Sequence, residues 1–235
     1  NIVAYDPSFA YELAVIIRDG IYRMYEKQEN VFYYLSVCNE NYPMPAMPSG
    51  AKEGILKGLY RFKSSPAKNK KVRAHLFGSG TIINQVLEAQ KILEEQYKVA
   101  ADVWSVTSYN QLRQDALHVE RWNMLNPLER PRVPYVTQIL AKEDGAFVFT
   151  SDYMKVLPDG LGKWIPKRYI SLGTDGFGRS DSRAALRDFF EIDSRHIVFA
   201  ALGQLLKEKK IKADVLKKAA KDLKINPNKL NPVIS

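Results

Sequence analysis

Residues 58–172 alternate short β-branched and aromatic runs with longer stretches whose apolar residues recur at helical spacing. That alternation constrains the fold more than any single motif. Strands separated by helices cannot pair as tight hairpins. They need crossovers, and crossovers give parallel strands with helices on both faces. The expected strands are 58–63, 71–77, 102–107, 145–150 and 168–172. The expected helices are 81–97, 111–123, 182–190, 194–207 and 213–223, with a partly helical stretch at 152–164. In 81–97 the residues Ile82, Ile83, Val86, Leu87, Ala89, Ile92 and Leu93 make the buried side. The fold class is therefore α/β, a mostly parallel sheet covered on both faces.

The first 39 residues read as a helix and then a strand. Asp6 and Pro7 suit a helix entry, and Leu13, Ile16, Ile17, Ile21, Met24 and Tyr25 form one apolar face. "NVFYYLSVCN", residues 30–39, lacks polar alternation and reads as a buried strand ending in Cys38. One such unit cannot bury both its faces. This remnant of another α/β domain, and a first residue that is Asn rather than Met, suggest a piece of a longer polypeptide. "NENYPMPAMPSG", residues 39–50, has three prolines close together and reads as a linker. The expected division is 1–48, the remnant plus linker, and 49–235, the main domain.

The net charge of +9 raises the question of nucleic acid. It is concentrated in two places. Residues 61–73 hold Arg61, Lys63, Lys68, Lys70, Lys71 and Arg73 with no acid. Residues 205–235 hold nine lysines against Glu208, Asp214 and Asp222. Neither run interleaves aromatics as single-strand binders do, and neither has a helix-turn-helix or zinc signature. Solvated faces and no nucleic-acid partner are the expectation. A stand-alone module docking an acidic protein or nucleic acid through 61–73 and 205–235 is the alternative. One cysteine excludes an internal disulfide and fits a reducing, cytoplasmic compartment. No apolar run is long enough for a spanning helix, so no membrane partner is expected.

Two glycine turns invite a phosphate reading. "HLFGSGTIINQ" has Gly78 and Gly80 but neither the G-x-G-x-x-G pattern nor a Walker lysine. "LGTDGFGRSDSR", residues 172–183, fails both templates too. Ser180, Asp181 and Ser182 suit the entry of the next helix. Asp175, Phe177, Arg179 and Arg183 are candidates for an interface with a neighbouring domain or subunit. In "HVERWNMLNPLERPRVPYV", residues 118–136, Glu120, Arg121 and Trp122 are further interface candidates, with an ion pair and an aromatic anchor holding an irregular connection. His75, His118 and His196 show no ligand spacing, so no metal site is expected. No complete catalytic constellation is present.

Several words together carry a resemblance: "YDPSFAYELAVIIRDGIYRMY", "KQENVFYYLSVCNENYPMPAMP", "SVTSYNQLRQDALHVERWNMLNP", "SLGTDGFGRSDSR" and "INPNKLNP". They resemble the C-terminal quarter of the homodimeric, thiamine-diphosphate-dependent pyruvate dehydrogenases, transketolase-like decarboxylating components of the bacterial pyruvate dehydrogenase complex. The resemblance implies that 1–48 are the tail of a pyrimidine-binding domain and its linker, and 49–235 a transketolase-type C-terminal domain. It implies a parent oxidoreductase that decarboxylates pyruvate on thiamine diphosphate with Mg²⁺. It also implies acetylation of the lipoyl group of an acetyltransferase component, with a second copy of the chain as partner. The G-D-G motif with its later Asn, which holds diphosphate and metal in that family, has no match here. No catalytic, cofactor-binding or metal-binding residue is carried over, and the segment alone is expected to bind neither cofactor nor metal. Its implied role is structural, dimer-forming or partner-docking.

Overall fold

The computed structural model describes residues 1–67 and 71–235. The chain opens with β1 (Ile2–Tyr5), α1 (Ala10–Ile21) with a π-turn behind it, and β2 (Phe32–Leu35). A strand precedes the first helix, so the opening unit is β-α-β, and β1 pairs with β2 in parallel. The expected burial of 30–39 fails. Phe32 and Tyr34 are more than half exposed and Cys38 is exposed. Among the described residues β2 pairs only with β1, so nothing covers its outer face. The apolar face of α1 divides the same way: Ile16 is buried while Ile17, Ile21 and Tyr25 face outward.

The remaining elements are α2 (Ala51–Lys57), β3 (Tyr60–Lys63), β4 (Arg73–Gly78), α3 (Ile83–Gln96), β5 (Ala100–Ser105), α4 (Tyr109–Leu125), α5 (Tyr135–Leu140), β6 (Ala146–Thr150), α6 (Val156–Asp159), β7 (Tyr169–Leu172), α7 (Arg183–Phe189), α8 (Ser194–Lys207) and α9 (Ala213–Asp222). The sheet has the order β3-β5-β4-β6-β7. Only β3 runs antiparallel, on the edge beside β5. The α/β class with a mostly parallel sheet is what the alternation implied.

Side chains alternate across the sheet, as strand geometry requires. Ala74, Leu76, Val103 and Val148 meet α3 and α8 in one core, where Val86, Leu93, Ile197 and Leu202 are fully buried. Phe77, Trp104, Phe147 and Phe149 face α4 and α5 in the other, against Leu112, Val136 and Leu140. Phe77 and Phe149 stack at 4.0 Å between ring centroids. A third, smaller core joins the opening unit to the rest: Val3, Tyr5 and Ile16 pack on Ala51, Ile55 and Tyr60.

His75 lies wholly buried on β4, among aromatic rings. Its Nδ1 accepts the Trp104 indole N–H at 3.2 Å, and its Nε2 lies 3.2 Å from the Asp144 carbonyl. Indole N–H is a donor only, so Nδ1 carries no proton and Nε2–H donates to Asp144. The imidazole is neutral, and burial holds its pKa below the ordinary value.

The basic run 61–73 is partly consumed inside the fold. Arg61 pairs with Glu143 and stacks on Trp104, and Arg73 pairs with buried Asp102 at 2.8 Å. Lys68 and Lys70 lie outside the described residues.

Candidate functional site

Open α/β sheets take ligands outside the carboxyl ends of their strands, where the strand order reverses. Here β5 lies on one side of β4 and β6 on the other. The reversal therefore falls between the ends of β4 and β6. Ser79 and Thr81 follow β4; Ser151 and Asp152 follow β6. The Ser79 hydroxyl reaches Ser151 Oγ at 3.3 Å, and Thr81 Oγ1 donates to Asp152 Oδ2 at 3.2 Å.

The chain lays its own opening segment along one edge of this crevice. The Gly80 N–H donates to the Asp6 carbonyl at 3.2 Å, and the Asp6 N–H to the Thr107 carbonyl at 2.7 Å. Asp6 was expected to cap α1. Its carboxylate instead accepts the hydroxyls of Tyr153, at 2.8 Å, and Ser36. The Ser108 hydroxyl donates to the Ala4 carbonyl at 2.6 Å while accepting the Gln111 N–H, so one side chain caps α4 and holds β1. The glycine turn after β4 thus receives a backbone carbonyl where a nucleotide fold would receive phosphate.

Glu12, which the sequence reading passed over, caps α1. Its Oε2 accepts the N–H groups of Ser8 and Phe9, at 2.5 and 3.1 Å. Its Oε1 accepts the hydroxyls of Tyr60 and Ser105, each at 2.6 Å. Tyr60 sits on β3 and Ser105 on β5, so one carboxyl group ties the opening unit to the main sheet. Tyr11 extends the chain of hydroxyls, 2.5 Å from Tyr60. Burial pushes the Glu12 carboxyl above its ordinary pKa, and the four donors pull against that.

The linker residue Glu40 makes the second tie. Both its oxygens are held by Arg187, at 3.2 and 2.5 Å, and Arg183 lies 3.7 Å away while bonding to Asn39. The hydrogen bond from Arg187 holds the Glu40 carboxyl below the usual range. A crevice of about 490 Å³ remains beside this pair, lined by Cys38, Thr81, Asp152, Thr174 and both arginines. Arg187→Ala removes a two-pronged, mostly shielded charge pair. It is expected to lower stability at neutral pH by about 1.5–3 kcal/mol. Glu40 has a depressed folded pKa, so its contribution is present above the unfolded carboxylate pKa of about 4.3 and is lost as pH falls below that. Urea melts of both proteins check this: the gap between them narrows in acid.

The loop 172–183 is divided between two tasks. Asp175 holds the chain after β6, pairing with Lys155 at 3.3 Å and accepting its N–H at 3.4 Å. Ser182 caps α7 by accepting the Ala185 N–H at 3.4 Å. Gly176 has φ +101°, and a Cβ there would strike the Pro232 carbonyl, so glycine is what lets the C-terminal tail lie on the loop. Arg179 stacks on Phe189 and bonds to the Ser235 carbonyl. Arg183 and Arg179 thus contact this same chain. Phe177 is 79% exposed and touches no ring, unlike an aromatic already pinned into packing.

The cluster at 118–136 differs from expectation in its pairing. Glu120 is held by Lys163 and the Trp164 indole, at 2.5 and 3.0 Å, not by Arg121. Neighbouring helix residues point apart, and Arg121 faces solvent. Trp122 carries Arg132 on its ring at 3.8 Å, and Asn123 clamps the Arg132 backbone. Met124, Leu125 and Leu128 stand exposed beside this anchor.

Two groups of side chains among the described residues bring carboxylates and imidazole together: His75, Asp102 and Glu143, and Asp188, Asp193 and His196. In the first, Asp102 and Glu143 are bound by Arg73 and Arg61 and both imidazole nitrogens are engaged. In the second, Arg195 binds both aspartates, and Asp193 caps α8 by accepting the His196 backbone N–H at 3.0 Å while its carboxylate also meets the His196 Nδ1 at 2.7 Å. Carboxylates already neutralised by arginine do not fit a magnesium-bridged diphosphate.

Comparison with known proteins gives the family. The description "Transketolase-like TK C-terminal domain" matches residues 58–193, and "Pyruvate dehydrogenase E1 component middle domain" matches 1–45. The pyruvate dehydrogenase E1 component of Escherichia coli (strain K12) is 50% identical over 234 residues, covering 99% of this chain. That of Cupriavidus necator is 42% identical over 233 residues, also covering 99%. The chain spans 26% of the length of each. A transketolase from Pichia stipitis in complex with sedoheptulose 7-phosphate aligns with a TM-score of 0.59 at 16% identity, over 89% of this chain and 26% of that one. A split-gene transketolase described as an inactive β4 tetramer aligns at 0.50 and 16% identity, over 88% and 57%.

Proposed function

The chain belongs to the transketolase-like C-terminal domain family, and from that premise we propose that it is the C-terminal part of a pyruvate dehydrogenase of the E1 type. The whole enzyme decarboxylates pyruvate and passes the acetyl group to the lipoyl group of an acetyltransferase component. Thiamine diphosphate, held with Mg²⁺ by upstream parts of the polypeptide, supplies the carbanion chemistry. This segment contributes no reacting group. It closes the end of the catalytic body, forms part of the homodimer and offers surface to the complex.

The observation that carries this reading is the way the opening segment and linker are tied along the edge of the crevice. Where this fold class binds ligands, Asp6 is hydrogen-bonded backbone to backbone with Gly80 and Thr107, and the linker residue Glu40 is held by Arg187. A surface bordered on one side by its own chain, with a crevice left open beside it, suits a seam between domains. On this reading 1–48 belong to the pyrimidine-binding domain and 49–235 to the C-terminal domain, with Glu12 and Glu40 fastening one to the other. Phe177 and the exposed end of α4, with Arg121 and Trp122, are the positions assigned to the neighbouring domain or subunit. Asp175, Arg179, Arg183 and Glu120 support them by fixing the backbone from behind.

The test is pyruvate-dependent reduction of an artificial electron acceptor. A polypeptide that extends this chain upstream to the length of its relatives should reduce the acceptor when given pyruvate, thiamine diphosphate and Mg²⁺. The 235-residue chain should not. Absence of pyruvate oxidation by the extended polypeptide contradicts the assignment.

A further inference from the structure

We propose that the outer face of α9, with the turns on either side of it, is a docking surface for an acidic protein segment. The inference stands independently of the enzymatic reading. Helix α9 packs through Val215, Leu216, Ala219 and Leu223 onto the α3–α8 side of the sheet. Lys217, Lys218 and Lys221 are exposed on one face of α9, and Lys224 is exposed just past its end. Lys207, Lys209 and Lys212 stand exposed on the approach to it. Of the nearby acids, Glu208 pairs with Lys210 and Asp222 meets the Tyr97 hydroxyl, while Asp214 stands exposed in the first turn of α9. Among the described residues none of these seven lysines has a carboxylate at ion-pair distance, while Lys210 and Lys229 each do.

Two features set this face apart from an ordinary solvated one. Like charges three and four residues apart oppose the helix that carries them, and on α9 only Asp214 and Asp222 stand at a spacing that offsets them. In addition, Lys209 and Lys224 sit at φ +58° and +53°, just beyond the ends of α8 and α9. Glycine is the ordinary choice at such positions because it takes the left-handed conformation without strain. Gln28, Lys98 and Glu191 end other helices the same way; at 209 and 224 the residue so placed adds a positive charge to the face.

The chemistry favours carboxylates over nucleic acid. The cations of the face are all lysines, without the arginine forks that grip phosphates in pairs or the aromatic rings on which bases stack. The row from Lys217 to Lys224 is short, about 10 Å at the helical rise. That length matches two turns of an acidic helix or a short acidic loop. It is too short to track a nucleic-acid backbone.

The experiment uses the full chain, a fluorescein-labelled 20-residue poly-L-glutamate and a labelled 20-base-pair DNA duplex, followed by anisotropy at low and physiological salt. The variant K217Q/K218Q/K221Q/K224Q keeps helix-forming side chains. The control K27Q/K52Q/K71Q/K142Q removes the same charge elsewhere. A second set, with glutamate in place of glutamine on α9, and circular dichroism melts guard against a folding effect. The expected result is tenfold or greater loss of poly-glutamate affinity at physiological salt in the α9 variant, steeper loss with glutamate, and less than twofold change in the control. Equal loss in both quadruple variants, no loss in either, no binding of poly-glutamate, or tighter α9-dependent binding of the duplex would overturn the proposal.

Discussion

Glu12→Ala is expected to destabilise the chain by about 3–5 kcal/mol, since it leaves two backbone N–H groups and two hydroxyls buried without an acceptor. For a chain of this size that corresponds to a melting temperature roughly 10 °C lower. The magnitude follows from geometry. Glu12 is wholly buried, and its four donors come from three places: the turn before α1, β3 and β5. The alanine variant therefore loses a helix cap and an inter-unit tie at once. Glu12→Gln separates charge from shape. Its one carbonyl oxygen can keep the N–H groups of Ser8 and Phe9, while the Tyr60 and Ser105 hydroxyls rotate to accept its amide. It should lose less than half as much as the alanine variant. Differential scanning calorimetry on the three proteins decides it; an alanine variant melting with wild type would remove Glu12 from the account.

Trp104→Ala carries the other large effect, about 3–5 kcal/mol from the cavity left in the aromatic core. Trp104→Phe is the more telling change, because it removes little besides the indole N–H that fixes His75. In the wild-type chain His75 is neutral with a depressed pKa. The unfolded histidine titrates near pH 6.5, so the stability that depends on its neutrality is present above that value. It is lost as pH falls from about 6.5 toward the lower folded pKa. Protonating Nδ1 would also set two donors, the imidazole and Trp104 N–H groups, against each other. With phenylalanine at 104 that conflict is gone, and the acid limb of a stability–pH curve should be shallower. An unchanged slope would place the acid sensitivity elsewhere, and His75→Gln identifies how much of it belongs to this ring.

The sheet was legible because its signal is local and repeated. Runs such as "AFVFT" and "AADVWS" lie between glycines, prolines and amphipathic stretches, and each became a buried strand within a few residues of its expected limits. Three elements were not. The strand β1 is four residues long, too short for a period to emerge. Helix α2 contains Gly54 and ends at Gly58, which disguise it, and α5 follows Pro134 in a stretch that reads as irregular. Continuous apolarity in "NVFYYLSVCN" signified a strand made to be covered, but says nothing of whether the cover lies within these 235 residues.

The seam was less legible than the sheet, for a different reason. A glutamate in an apolar helix reads as a surface residue. Only its offset from Ser8, one residue longer than a standard capping box, hinted otherwise. Glu40 and Arg187 lie 147 positions apart, and nothing local in either word announces the pair. In "LGTDGFGRSDSR" the helix cap was readable because capping is a matter of neighbours. The work of Arg179 and Gly176 was not, because both act on the C-terminal tail, more than fifty residues away.

We propose that this chain is a non-catalytic C-terminal part of a thiamine enzyme, with the edge of its ligand crevice used as a seam. Isothermal titration of thiamine diphosphate with Mg²⁺ tests it most directly, run on the 235-residue chain and on a polypeptide extended upstream to the length of its relatives. The expected result is no binding heat from the chain and a Mg²⁺-dependent, micromolar site in the extended protein. Micromolar, Mg²⁺-dependent binding by the 235 residues alone would contradict it.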